Sequence, residues 1–455
     1  MKVLLIQPPL EDFYTTTIRL YPLGLLYTAR VLEDAGATVE ILDCLTPLKK
    51  RGIPVPASFS YLPALDEIPH FFKGYYRFGT GDEVILSRIR AFGPDLIGIS
   101  SQFTAYYKSV EELVRLIKEK FAVPVFIGGN HATAFAFEIR RRTPEIDYVL
   151  TGPAEDCLPE FLDSIEPGRA HEKLDWRQIE PSHHLLRAEN YRIGRQGYIS
   201  LIASRGCPHS CDFCSVHQMF GREIRYRAVD SLLAEMGRNY EKKGTRVFNF
   251  EDDNLSFDKA WFLEFLKAAA ADPGLKDIEL TAMNGLCHPT LDEEVLEAMK
   301  RAGFRELNLS LVSRDPELQK KLRRPYLTDS FDKFDRLIPA AQRLGFFITV
   351  YIIIGLPGQT FAEVKDSVDY LLSLGVLVGP AVFYLSPASS LYEKMELPST
   401  LKDDWNLYRS SAFAVETPEL CRPKLLSLFS YVRQKNLENR SRGVHLKRTV
   451  SCYNV

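Results

Sequence analysis

Two successive runs of β-α alternation predict an α/β protein. The expected architecture is a doubly wound, Rossmann-like parallel sheet, then a (β/α)6 partial TIM barrel, then a small, mainly helical C-terminal region. Three observations carry this expectation. The strands are short and almost wholly apolar, as in parallel sheets covered on both faces. Helical patterns separate them, strand by strand. A polar, irregular stretch over 166–195 divides the two series. The expected divisions are therefore 1–165, a linker at 166–195, a barrel at 196–390, and a helical cap at 391–455.

In the first series, Val3 to Ile6 is a continuous apolar strand ended by Gln7-Pro8-Pro9. A helical pattern runs from Pro22 to Ala35 and stops at Gly36, and Thr38 to Leu42 makes the next strand. An irregular stretch rich in proline and aromatic residues follows, over about 47–80. Leu96 to Ser100 is then a strand, Ser109 to Lys120 a helix, and Val123 to Ile127 a strand. A helix near Ala134 to Arg142, a strand at Tyr148 to Leu150 and a helix from Asp156 complete the series. The linker carries Pro167, Gly168, Pro181 and the pair His183-His184. In the second series the predicted strands are Tyr198–Ala203, Arg246–Phe250, Ile278–Ala282, Glu306–Leu311, Phe347–Ile354 and Ala381–Tyr384. Helical patterns at Val229–Lys243, Ala260–Ala271, Leu291–Ala302 and Ser330–Leu344 lie between them. In such a barrel, chemistry is expected at the C-terminal strand ends. The last segment holds one helix, about 422–439, and a basic tail from Val444 to Val455.

Composition narrows the function classes. The 455 residues carry 57 basic and 59 acidic side chains, a net charge of −2. That balance argues against a protein that holds nucleic acid by bulk electrostatics. No apolar run reaches the length of a membrane span, and the MKVLLIQPP start is too short in apolar residues for a signal peptide. A chain that stays in the reducing cytoplasm is expected. There, eight cysteines are not a disulfide framework.

Three of those cysteines stand at a C-x3-C-x2-C spacing in Arg205-Gly206-Cys207-Pro208-His209-Ser210-Cys211-Asp212-Phe213-Cys214, directly after the first barrel strand. Thiolates this close can hold one metal centre. Two readings follow. His217 extends the pattern to a Cys3His zinc site. Alternatively, three cysteines hold an iron–sulfur cubane and leave its fourth iron open. Other polar or glycine-rich turns fall at strand ends. Glu251, Asp252 and Asp253 follow the second barrel strand, and Ser310 to Ser313 end the fourth, with Arg323-Arg324 beyond. Gly355-Leu356-Pro357-Gly358 closes the fifth. In the N-terminal series, Ser100-Ser101, Gly128-Gly129-Asn130-His131-Ala132-Thr133 and Gly152-Pro153-Ala154-Glu155 end successive strands, where small residues let backbone approach a ligand.

The cysteine motif in this setting resembles the radical S-adenosylmethionine (SAM) superfamily. The resemblance implies that Cys207, Cys211 and Cys214 hold a [4Fe–4S] cluster whose fourth iron SAM chelates, and that SAM is cleaved to methionine and a 5′-deoxyadenosyl radical. It places Phe213 near the adenine, and Glu251, Asp252, Asp253, Ser310, Ser313, Arg324 and Gly355 around SAM. Val312 stands where many members have Glu. The N-terminal loops are similar to the cobalamin-binding domain that precedes many such barrels. That implies cobalamin contacts from Gln7, Ser100, Ser101, Gly128, Gly129, His131, Thr133, Gly152 and Glu155. The D-x-H-x-x-G motif is absent, so the implied cobalt lacks a histidine lower ligand. Together these imply an oxygen-sensitive cobalamin-dependent radical SAM enzyme of the class B methyltransferase type. Its expected reaction is C-methylation of a small metabolite or peptide, with electrons from a flavodoxin or ferredoxin. The alternatives are rearrangement, cyclisation or ring contraction without net methyl transfer, and, in another class, a non-catalytic cobalamin carrier or sensor. Tyr384, Tyr392, Trp405, Tyr408 and Phe413 are candidates for a substrate pocket or for core. Cys287, Cys421 and Cys452 have no motif partners.

Overall fold

The structure is a computed structural model and describes residues 1–16, 21–46, 49–166, 170–324 and 330–441. Pro167, Gly168, Cys452 and the basic tail lie outside the described residues. Five parallel strands form the N-terminal sheet: β1 (Lys2–Gln7), β2 (Thr38–Asp43), β3 (Leu96–Ser100), β4 (Val125–Gly128) and β5 (Tyr148–Val149), in the order β2-β1-β3-β4-β5. Helices α1 (Leu23–Asp34), α2 (Asp82–Phe92), α3 (Tyr107–Lys120), α4 (Asn130–Ala134), α5 (Ala136–Arg142) and α6 (Ala154–Ile165) accompany it. The strand order reverses between β1 and β3. A doubly wound sheet binds its ligand at such a reversal, beyond the carboxyl ends of the strands.

Several expectations shift here. The single helix expected at 134–142 is two helices that break at Phe135. The stretch expected to be irregular contains strands Lys50–Ile53 and Tyr75–Phe78, which build a small antiparallel sheet with Leu10–Asp12. Helix α2 buries Ile85, Leu86 and Ile89 and ends at Gly93 in the left-handed region, φ 61°.

The second half has six parallel strands: β6 (Gln196–Leu201), β7 (Thr245–Phe250), β8 (Glu279–Thr281), β9 (Glu306–Val312), β10 (Phe347–Ile354) and β11 (Leu377–Val382). They make two sheets, β8-β7-β6 and β9-β10-β11, joined by single parallel bridges Leu280–Phe304 and Leu286–Leu309. Helices α7 (Val229–Lys243), α8 (Lys259–Ala271), α9 (Glu293–Ala302), α10 (Ser330–Arg343) and α11 (Phe361–Ser373) alternate with them. The barrel is open, and both of its edges are covered. Arg192–Ile193 pairs antiparallel with β6. Beside β11, Asn436 of α12 (Arg422–Ser441) accepts from the Val378 amide at 3.1 Å and donates to the Val378 carbonyl at 2.7 Å. One amide side chain thus satisfies edge groups that would otherwise invite pairing.

The C-terminal region does not form a simple cover over the barrel mouth. Helix α12 lies along the β11 edge, and the segment around 405–413 packs into the N-terminal half. Arg409 donates to the Glu11 carbonyl at 2.6 Å and to the Ala105 carbonyl, while Ser411 donates to Asp12 at 2.8 Å. The 166–195 stretch is likewise packed, with Trp176, Ile179, Leu186 and Tyr191 buried. Its His183 accepts or donates at both ring nitrogens, to Tyr21 at 2.5 Å and to Glu235 at 2.9 Å.

Candidate active site

The cysteine loop begins where β6 ends. Ser204 and Arg205 pair antiparallel with Tyr226 and Arg225, so residues 206–224 leave and return at one point. Gly206 makes the exit possible. Its φ is +90°, and a Cβ there would sit 2.2 Å from the Glu223 carbonyl oxygen. Further in, the Asp212 amide donates to Leu322, and its carbonyl accepts from Leu391 at 2.8 Å. The loop is thus fixed at its base and its middle before any ligand is bound. A Gly206→Ala substitution is expected to cost more than about 2 kcal/mol, from the left-handed backbone alone plus the clash. Denaturant titration alongside iron content after reconstitution checks this.

Cys207, Cys211 and Cys214 line one cavity of about 110 Å3 with Phe213, Asp253, Ser310 and Arg324. Asn254 donates to the Cys207 sulfur at 3.8 Å. Among the described residues, no three His, Cys, Asp or Glu side chains converge as ligands of a single ion. A tetrahedral zinc draws its ligands to one point, whereas a cubane spreads them over separate irons. Three thiols on one cavity wall fit a cluster, and His217, which the Cys3His alternative needs, lines the same cavity. Burial raises the Cys214 thiol to about 11 when no metal is bound.

Two larger cavities share wall residues with this one. The first, about 360 Å3, lies between Phe213, Cys214, Gln218 and the ends of β10 and β11 at Ile353, Ala381 to Tyr384 and Ser386, with Asn130 and Thr133 of the N-terminal half. The second, about 540 Å3, lies between the two halves. Its N-terminal wall includes Gln7, Ser100, Gly128, Gly129 and Gly152, at the β1/β3 reversal, and its barrel wall Ile202, Arg205, Met219, Phe220 and Glu251 to Asp253. Val216 and Asp253 stand in the walls of all three. A Cβ on Gly128 or Gly152 would enter free space with nothing nearer than 4.0 Å. These positions form a cradle for a large ligand, although the two neighbouring glycines are small for internal reasons. A Cβ on Gly98 would strike Phe126, and one on Gly129 the Ser101 carbonyl.

The residues predicted from sequence divide into those at the cavities and those held elsewhere. Glu251 accepts from Asn249 at 2.6 Å and from Asn284 at 3.2 Å on the cavity wall. Arg324 donates to the Ser310 hydroxyl at 3.0 Å and carbonyl at 2.8 Å, which presets the guanidinium beside the thiols. Behind Ser310, Val312 adopts φ 74° at a break in the β9–β10 register. Asp252 also reaches the cavity wall, but its carboxylate accepts from the Ala203 amide at 3.1 Å and the Ser204 hydroxyl at 2.6 Å. Burial pushes it up to about 6, and it holds the β6 exit rather than presenting a free acceptor. Thr133 is internal too, donating to Gly129 and accepting from the Gly152 amide at 3.0 Å. Glu155 faces the 540 Å3 cavity yet is ion-paired with Arg205.

Four of the predicted positions line none of these three cavities. Ser313 donates to Glu363 at 2.6 Å, away from the thiols. The Gly355 amide donates to the Gln359 side chain at 2.8 Å, so the turn closes on itself, and a Cβ at Gly355 would meet Leu425 of α12 at 3.0 Å. Ser101 is buried beneath the β4 loop, its carbonyl accepting from His131 at 3.1 Å. The His131 ring packs against Trp405, Tyr107 and Phe135 at centroid distances of 4.6, 4.7 and 5.3 Å. Of the aromatics offered for a substrate pocket, Trp405, Tyr408 and Phe413 are core, and Tyr384 lines the 360 Å3 cavity.

Burial holds His131 neutral, its pKa lowered to about 3. Between that value and the unfolded 6.5, the unfolded chain binds more protons. Stability from this site is therefore present above pH 6.5 and is lost as pH falls toward 3. His131→Phe is expected to flatten that acid limb in thermal melts at stepped pH while leaving cobalamin affinity unchanged.

Sequence reasoning missed Asn130, Arg205, Val216, Met219, Phe220, Asn284 and Cys287, all on cavity walls. Arg205 and Val216 had a local signal, two residues before Cys207 and two after Cys214, and Asn130 lies inside the glycine-rich loop.

Comparison with known proteins agrees with this geometry. Residues 201–371 match the radical SAM superfamily, and residues 72–162 match the B12 binding domain. The chain is 26% identical to cytidylyl-2-hydroxyethylphosphonate methyltransferase of Streptomyces wedmorensis, over 82% of its own length and 77% of that protein. It is also 26% identical to bacteriochlorophyllide d C-12(1)-methyltransferase of Chlorobaculum tepidum, over 80% and 75%. The radical S-adenosylmethionine methyltransferase TsrM of Kitasatospora setae, solved with cobalamin and a [4Fe–4S] cluster, shares the fold at a TM-score of 0.65. The match has 19% identity and covers 90% of this chain and 84% of that one. The chain thus carries a radical SAM domain and a B12 binding domain together, the pairing of the cobalamin-dependent radical SAM enzymes it resembles.

Proposed function

We propose that the protein is a C-methyltransferase acting on an unactivated carbon of a small metabolite or peptide. The observation that carries this reading is that Val216 and Asp253 stand in the walls of all three cavities. The thiols, the barrel-strand ends and the seam between the halves therefore meet around the same two residues. When bound, the cluster supplies the electron that cleaves SAM and cobalamin supplies the methyl group.

Cys207, Cys211 and Cys214 would hold the cluster. Ser310 and Arg324 offer a hydroxyl and a guanidinium to the SAM carboxylate, a pairing suited to a planar two-pronged contact. Glu251 and Asp253 offer acceptors for its ammonium. Phe213, Ile353 and Phe383 give the nucleoside an apolar wall in the 360 Å3 cavity. Gln7, Ser100, Gly128 and Gly152 would cradle cobalamin. Met219 and Phe220 line both larger cavities with apolar side chains, and so limit water at the reacting centre.

A flavodoxin- or ferredoxin-type donor would supply the electron. Arg222 touches Ser210 at 2.8 Å, and Arg323 and Lys394 meet Asp212 at 2.9 and 3.8 Å, so exposed cations flank the loop between the cysteines. Charge of this kind steers an acidic carrier to the site. Among the described residues, no helix is long and apolar enough to cross a membrane.

The deciding experiment incubates anaerobically reconstituted, cobalamin-loaded protein with SAM and dithionite. Methyl transfer is expected to yield S-adenosylhomocysteine together with 5′-deoxyadenosine. Deoxyadenosine without homocysteine product would favour rearrangement or cyclisation. Neither product would favour a non-catalytic carrier.

A further inference from the structure

A fourth thiol shares the cysteine cavity. Cys287 is 8% exposed and lines the same 110 Å3 space as Cys207, Cys211 and Cys214, beside Ser310 and Arg324. It is remote from the motif in sequence, in the turn after β8. The chain holds it there rigidly. The amide of Leu286 donates to the Asn308 carbonyl at 2.7 Å, the Ser310 amide donates back to Leu286 at 3.0 Å, and Thr290 caps the Cys287 carbonyl at 3.0 Å. This short ladder is the bridge that joins the two barrel sheets. Cys287 is a free, buried cysteine, and the Thr290 hydroxyl bonds its backbone carbonyl rather than its thiol.

Resting on the reading that the motif cysteines hold a [4Fe–4S] cluster, we propose that Cys287 closes the fourth iron when SAM is absent and yields it when SAM binds. Three protein thiolates leave one iron open, and that iron is the one SAM occupies. The thiol lines the same cavity as Ser310 and Arg324, the groups proposed for the SAM carboxylate, so thiol and SAM would compete for one iron. Water is the alternative ligand, but the wall facing the three thiols supplies sulfur, and a soft thiolate is the better ligand for cluster iron. In the closing step the Cys287 thiol releases its proton to solvent and forms an iron–sulfur bond. On SAM binding the amino and carboxylate groups replace the thiolate, which regains a proton. No electron moves in either direction. The Arg324 guanidinium lines the same wall and favours the thiolate in one state and the SAM carboxylate in the other. Closure would protect an exposed iron between turnovers at the expense of SAM affinity.

The test compares wild type, Cys287→Ala and Cys287→Ser after anaerobic reconstitution, with iron, sulfide and circular dichroism matched. The readouts are the EPR spectrum of the dithionite-reduced cluster and the SAM dissociation constant, neither of which requires turnover. Without SAM, the alanine and wild-type spectra are expected to differ, with serine, an oxygen ligand, distinct from both. With saturating SAM, all three converge. If the open form is about one tenth of the SAM-free population, losing the thiol tightens SAM binding about tenfold. Identical SAM-free spectra and equal dissociation constants would overturn the proposal. A wild type that assembles no iron and sulfide would instead overturn the cluster reading, and this proposal with it.

Discussion

Replacing Cys207, Cys211 or Cys214 singly with alanine is expected to abolish SAM cleavage, lowering it by at least about 10^3-fold. Outer partners of a metal ligand are worth 10- to 100-fold when removed, and these residues are the proposed ligands themselves. The loop that carries them stands without the metal. Its base is the Ser204–Arg205 pairing with Arg225–Tyr226, and its middle is tied to Leu322 and Leu391. The alanine variants are therefore expected to fold, with circular dichroism unchanged, while the broad absorbance near 400 nm and the sulfide content fall together. Cys421→Ala is the matched control, since Cys421 lies just ahead of α12, outside the three cavities. A motif variant that keeps full sulfide and cleaves SAM at the wild-type rate would remove that cysteine from the ligand set. Stoichiometric zinc without sulfide in the wild type would restore the Cys3His reading with His217.

How much of this was legible in sequence depended on the reach of the forces involved. Leu96–Ser100 was predicted to the residue because both sheet faces are covered, so its apolar pattern is continuous and local. The cysteine loop was legible for a similar reason, since the ligands of one centre lie within eight residues. The small antiparallel sheet was not, because Leu10–Asp12 finds its partner at Tyr75–Phe78 and each strand is too short to show alternation. Helix α2 carried a readable amphipathic pattern but was masked by the irregular stretch before it. His131 shows the opposite failure. A histidine in a glycine-rich strand-end loop reads as a ligand-facing residue, yet Trp405, far along the chain, turns the ring into core. Cys287 fell outside every local motif and reaches the cluster cavity only because β8 and β9 are bridged.

The second large effect is expected at the ion pair between the halves. Arg205 lies two residues before Cys207, and Glu155 opens α6 beside Gly152. Their side chains are 4% and 3% exposed. The Arg205 guanidinium also stacks over Tyr27, Trp176 and Phe220 at 4.6, 4.4 and 4.9 Å, so a charged group is enclosed by aromatic faces. Removing Glu155 leaves that charge buried and unpaired, which costs about 3–5 kcal/mol. The arginine cannot avoid the cost by neutralising, because a guanidinium does not lose its proton in a protein. Glu155→Ala is therefore expected to lower the denaturation midpoint sharply, whereas the double variant Glu155→Met with Arg205→Met recovers most of the loss, since a buried pair replaced by apolar residues of similar volume is nearly neutral. Stability should separate the two variants, and function should not. The double variant, though stable, has lost the contact that ties the cobalamin-side loop to the start of the cysteine loop, so cobalamin retention through gel filtration is expected to fall in both. A Glu155→Ala cost below about 1 kcal/mol would mean that water reaches the pair, as it does for surface pairs, and would sink the claim that this contact clamps the two halves across the cavity.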